Sequence, residues 1–205
     1  MSAHSHSSAP LPHEPEKATL EGRNKIMGFW FFLGGETVLF GTLFSAFIAL
    51  RDQVMDGPTA NHLFSLPLVA LATVLLLTSS LTSVFAVQAM HRHQTSTMQL
   101  WLFVTVLLGL GFLGLEIYEF NHYVHEGHKF NTSAFSTSFY SLVGFHGAHV
   151  LFGICWISLL IGQIFKKGLT VVTAPKVYVA SLYWHFIDVV WVFIFTVVYL
   201  MGKVV

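Results

Sequence analysis

Tyr183-Trp184-His185-Phe186-Ile187-Asp188-Val189-Val190-Trp191 sets a histidine and an aspartate one helical turn apart inside an otherwise apolar run. That run, residues 177–201, is long enough to cross a bilayer, which takes about 20 helical residues. An ionisable group at the centre of a membrane helix costs roughly 2.5–3.5 kcal/mol on insertion scales. Two such groups on one helix face need a protein interior to point into, so this run predicts one wall of a helical bundle.

Working outward, four more runs have the same length and character, at residues 26–50, 64–88, 98–120 and 139–165. Of the 205 residues, 54% are hydrophobic and only 10% charged, whereas a soluble domain carries about a quarter charged residues. The expected fold is all-α: a polytopic membrane protein with five transmembrane helices. Residues 25–205 form the bundle, and residues 1–24, rich in Ser, His and Pro, form a disordered polar cytoplasmic tail in which His4 and His6 are solvated. Short connections make neighbouring helices antiparallel. Lys17, Arg23, Lys25, Arg92, Lys166, Lys167 and Lys176 fall on one side and Arg51, Lys129 and Lys203 on the other. That bias predicts a cytoplasmic N-terminus and an outside C-terminus.

Net charge is zero, which gives no argument for nucleic acid. The lone Cys155 can form no internal disulfide and reads as a packing residue. No C-x-x-C-H haem attachment and no phosphate-cradling G-x-x-x-x-G-K-[ST] occurs. The outer loop, residues 121–137, carries His122, His125, Glu126 and His128 but misses the H-E-x-x-H spacing. A redox centre or metal site in this chain is therefore not expected.

Seven ionisable side chains fall within or at the edge of the runs: Glu36, Glu116, Glu119, His146, His149, His185 and Asp188. Six of them form i, i+3 pairs, so each of the last three helices has one polar face. At about 1.5 Å of rise per residue, Glu116, His146, His149 and Asp188 reach similar depths and could form one network. Such a network could fix helix register, hold a lipid headgroup or a water chain, or bind metal. The Glu-x-x-His from each of two helices that carboxylate-bridged di-metal bundles use is not met. Removing the Asp188 carboxylate is expected to leave a buried histidine unpaired. Glu36 lies mid-span with no basic residue on its own helix within reach, a candidate lipid- or proton-linked site. Gly34, Gly35 and Gly41 on the first helix, and Gly109, Gly111 and Gly114 on the third, mark expected close helix approaches. Residues 78–83 on the second helix form a small polar segment.

Four segments resemble subunit III of the haem–copper respiratory oxidases. They are Gly34-Gly35-Glu36-Thr37-Val38-Leu39-Phe40; Glu116-Ile117-Tyr118-Glu119-Phe120; Phe139-Tyr140 with Gly144-Phe145-His146-Gly147-Ala148-His149-Val150; and residues 183–191. They occur in that family's order and spacing over about residues 22–202. The chain resembles the shorter bacterial form, which lacks two N-terminal helices, and is most similar to the Gram-positive cytochrome c oxidase type. The resemblance implies that Glu36 lies beside a lipid-filled cleft and that His146, His149, His185 and Asp188 belong to helix-packing motifs. It implies no cofactor in this chain, haem and copper in subunits I and II, bound phospholipid, and a direct contact with subunit I in a complex that also holds a small subunit IV. The expected function is a non-catalytic subunit of a proton-pumping terminal oxidase in the bacterial plasma membrane. The subunit III of a quinol oxidase or nitric oxide reductase, and a stand-alone proton-coupled transporter, are the alternatives.

Overall fold

The computed structural model describes residues 11–51, 66–125 and 133–201. His4, His6, Glu126, His128, Lys129 and Lys203 lie outside the described residues. Five long helices follow: α1 (Leu20–Leu50), α2 (Leu66–His91), α3 (Thr95–His125), α4 (Ala134–Lys167) and α5 (Ala174–Ile194). The last continues through a wider π-type segment, Phe195–Leu200. All five are long and apolar enough to cross a membrane, and the described residues contain no strand.

Local chemistry sets the helix ends. The Thr19 side chain accepts the Gly22 N–H at 3.0 Å, and Ser133 does the same for the Ser136 N–H at 3.1 Å, each satisfying a donor the helix leaves open. Helix α4 stops at Gly168, whose φ of 68° is a conformation that favours glycine. Pro67 and Pro175 sit in first turns, where a missing N–H is tolerated. The helices run further than the predicted spans. Polar ends such as Glu21 to Lys25 and Lys166 to Lys167 continue the helix beyond the hydrocarbon. Of the tail expected over residues 1–24, residues 15–17 form a 3-10 turn with Glu16 buried, and the helix has already begun at Leu20.

Helices α2, α3, α4 and α5 form a closed ring, each packing on the next and α5 returning to α2. Helix α1 lies outside this ring, against α4 and α5. Its buried side chains, Gly22, Leu33, Phe40 and Phe47, form a narrow stripe, and the rest of its surface, including Trp30 and Phe31, is exposed. At the ring's centre Trp184 is wedged between two glycines. A Cβ on Gly109 would stand 2.7 Å from Trp184 Cη2, and one on Gly153 would stand 3.0 Å from Cζ3. Two turns on, Trp191 meets Phe112 edge to face at 4.7 Å.

The glycine expectation holds for Gly109 and fails on α1. Gly34, Gly35 and Gly41 have open space where a Cβ would go, as does Gly114, and Gly111 has only an ordinary contact to Leu75. Among the described residues no atom of another helix approaches within 4 Å of where a Cβ on those α1 glycines would sit, and Gly34 borders a cavity shared with Leu182, His185 and Phe186 of α5.

Gly109→Ala should therefore lower stability by about 1–3 kcal/mol, the usual cost of overpacking a filled core. Gly114→Ala should leave it unchanged or slightly raised. Thermal unfolding of the two variants in one detergent checks the contrast.

Candidate functional site

The polar groups on α2 and α5 form a continuous seam. Thr78, Ser79 and Thr82 turn their hydroxyls to carbonyls of the preceding turn, at 2.6–2.8 Å, as hydroxyls do in lipid. The same segment also faces α5. Trp184 Nε1 donates to Ser79 Oγ at 2.9 Å, Ser83 and Ser181 share a hydrogen bond at 2.8 Å, and Thr82 meets Thr105 of α3 at 2.8 Å. His185 is held at both ring nitrogens, by Ser80 at 2.6 Å on Nδ1 and by Ser181 at 3.5 Å on Nε2. A neutral imidazole has one donor and one acceptor, and two hydroxyls satisfy both. Asp188, 4% exposed, borders Ser80, but neither carboxyl oxygen makes a hydrogen bond of ordinary geometry. Ser80 thus stands between His185 and Asp188.

A second constellation joins α1 to the ring. His149 Nε2 lies 3.2 Å from Glu36 Oε2, and both side chains are 16% exposed. The other ring nitrogen, Nδ1, is 2.7 Å from the Phe145 carbonyl. A carbonyl only accepts, so Nδ1 carries a hydrogen. That leaves two forms for the contact: a protonated Glu36 donating to neutral His149, or a protonated His149 donating to the Glu36 carboxylate. Each holds one proton between the two side chains, and in each the pair is electrically neutral. Phe40 and Phe145 ring centroids at 5.1 and 5.3 Å cover the imidazole. The Tyr183 hydroxyl donates to the His149 carbonyl at 3.2 Å.

The third group lies between α3, α4 and the end of α5. Glu116 is 5% exposed, and its carboxyl occupies the space above Gly147, 2.7 Å from where a Cβ would sit. Among the described residues neither oxygen has a hydrogen-bond partner, nor does either ring nitrogen of fully buried His146, whose ring stacks on Trp191 at 5.2 Å. Glu119 is buried; it accepts from the Tyr123 hydroxyl and borders Tyr199.

The single network expected of Glu116, His146, His149 and Asp188 is thus divided among three places. Depth bookkeeping ranked them by height but carried no azimuth. His149 turns to α1, His146 to the aromatic core, and Asp188 to α2. The expectation that Asp188 pairs with a buried histidine, His149, is corrected: His149 contacts Glu36 and the Phe145 carbonyl, and His185 is satisfied by Ser80 and Ser181. The partners that sequence reasoning missed are these serines: Ser80 lies in the small polar segment 78–83, and Ser181 carries no sequence signal of its own. The signal for Ser80 was five hydroxyls within residues 78–83 at the depth of the α5 histidine. Among the described residues no three His, Cys, Asp or Glu side chains converge in a way that could hold a metal ion.

Residues 16–203 match the family described as cytochrome c oxidase subunit III. The chain is 65% identical over 195 residues to cytochrome c oxidase subunit 3 of Bacillus sp. (strain PS3), covering 95% of this chain and 94% of that protein. It is 62% identical over 195 residues to the subunit of that name from Bacillus subtilis (strain 168), with the same coverage. Quinol oxidase subunit 3 of Bacillus subtilis (strain 168) is 49% identical over 199 residues, 97% of this chain and 96% of that protein.

Ser80→Ala removes the shorter of the two His185 contacts and should destabilise the bundle by about 1 kcal/mol or more, the net value of a buried hydrogen bond. Asp188→Asn should change stability less, because no ordinary hydrogen bond is lost. Unfolding midpoints of both variants at one pH check the ranking.

Proposed function

The chain belongs to the cytochrome c oxidase subunit III family, and from that premise we propose that it is the supporting, non-catalytic subunit of a proton-pumping oxidase fed by cytochrome c. It is subunit III of a haem–copper oxidase and a multi-pass protein of the bacterial plasma membrane. In the proposed reading it steadies subunit I directly, in a complex with subunit II and a small subunit IV. Haem and copper reside in subunits I and II, and phospholipid lies along this chain. The N-terminus is cytoplasmic: the helix ends that bear Arg23, Lys25, Arg92, Lys166, Lys167 and Lys176 meet at one end of the bundle, and that bias orients membrane proteins.

The observation that carries the proton-linked part is the contact of Glu36 with His149, which holds one proton mid-span. Neither side chain is fully sealed off, each keeping 16% of its surface exposed. A neutral pair tolerates hydrocarbon where a lone carboxylate would not. It can also exchange its proton internally without creating net charge. Cytochrome c as donor is supported by the 62–65% identity to cytochrome c oxidase subunits. The 49% identity to a quinol oxidase subunit keeps a quinol-fed complex as the second reading.

Capture of the complex through a tag on this chain should bring haem-bearing subunits with it. The captured complex should consume oxygen with reduced cytochrome c and fail with quinol alone. Quinol-driven turnover without cytochrome c would move the assignment to the second reading. A haem absorption band kept by the isolated chain would overturn the supporting role.

A further inference from the structure

At the basic end of the bundle a second glutamate and histidine meet, again joining the α1 side of the chain to the ring. Glu16, in the short turn before α1, is 1% exposed, and its Oε1 lies 3.2 Å from Nε2 of His91, the last residue of α2. His13 stacks on the His91 ring at 6.1 Å with the planes 23° apart. The turn packs on α5 and on the start of α1. The Glu16 carbonyl crosses so close over Gly22 that no Cβ fits there, and such a Cβ would also meet Pro175 Cγ at 3.1 Å. Residues 13–22 thus make a strap across the ends of α2 and α5, and the strap leads directly into the least buried helix of the chain.

The bond that closes the strap is half satisfied. Glu16 Oε2 is buried with no hydrogen-bond partner among the described residues, which burdens the closed state with the desolvation of one carboxyl oxygen. A charge-assisted hydrogen bond is roughly twice as strong as a neutral one. The strength of the remaining contact therefore depends on whether His91 carries a proton, and histidine is the side chain that changes charge near neutral pH.

We propose that this strap is a pH-responsive clasp on α1: protonated His91 holds Glu16 and closes it, and loss of that proton releases it. The sign follows from the pair. With His91 protonated, an imidazolium faces the Glu16 carboxylate; with His91 neutral the charge-assisted bond becomes an ordinary one, and Lys17, already paired with Glu14, is the cation left near the buried carboxylate. The surrounding charges do not supply this response. Glu14 and Lys17 on the strap pair at 3.0 Å, which holds the Glu14 carboxyl below and the Lys17 ammonium above its ordinary value. Tyr178 is the titratable group that α5 presents near Lys17, and Gly22 and Pro175 contribute none. His13 is the other group on the strap that can titrate with His91, and its charge would oppose His91 rather than replace it.

The test is hydrogen–deuterium exchange of residues 13–22 in the assembled complex, corrected for intrinsic exchange, at about pH 5.5 and about pH 8.5. Wild type should show protection roughly fivefold or more lower at the higher pH. His91→Gln removes the charge at both values and should give weak protection that no longer varies with pH. His91→Lys keeps a cation across the range and should hold the strap protected at both. Exchange over residues 112–123, toward the opposite end of α3 from His91, should be the same in all three, which separates clasp opening from misfolding. A wild-type strap whose protection ignores pH, or a pH response that survives in His91→Gln, overturns the proposal.

Discussion

Polar side chains in a hydrocarbon solvent must be answered by other protein groups, and the seam between α2 and α5 is where this chain answers most of them. Trp184 binds Ser79, His185 binds Ser80 and Ser181, and Ser181 binds Ser83. In lipid there is no hydrophobic drive to bring helices together, so small residues and interhelical hydrogen bonds set their approach. Both act on α5 at once. Its seam face is bonded to α2, while the Trp184 ring fills the gap left by Gly109 of α3 and Gly153 of α4. A single residue therefore touches every other helix of the ring, and the register of the four helices follows from its fit.

Helix α1 obeys a different logic. It buries few side chains and presents glycines to open space, so packing alone secures it weakly. Two glutamates on its side of the chain, Glu16 and Glu36, each reach a histidine of the ring, His91 and His149. The mid-span contact is sheltered by aromatic rings and holds its proton internally. The contact at the basic end lies where water can reach His91, whose side chain is 28% exposed. The same residue types thus serve as a fixed tether at one depth and an adjustable one at the other.

Much of this was legible in the sequence for physical reasons. Hydropathy and length place all five helices, because lipid leaves a spanning chain few other choices. The i, i+3 spacing puts His185 and Asp188 of α5 both beside Ser80, but His146 and His149 of α4 meet different neighbours, Trp191 and Glu36. What spacing could not supply was rotation about each helix axis relative to its neighbours. For that reason Glu36 was read without its partner His149, and Asp188 was placed beside the wrong histidine. The buried strap was missed for another reason: Pro15-Glu16-Lys17 reads as solvated by composition, and only the tertiary fit of Glu16 against His91 and Gly22 removes it from water. The match of residues 16–203 to the oxidase subunit III family begins within that strap.

The claim on which the functional account rests is that Glu36 and His149 act as one proton-holding unit. The direct measurement is the rate of proton uptake by the assembled oxidase in wild type, Glu36→Gln, His149→Gln and the double variant. If the two side chains share one proton, either single substitution should slow uptake about as much as both together, with the cycle departing from additivity by roughly fivefold. Independent, multiplicative losses, or a His149→Gln variant with wild-type uptake, would contradict the account.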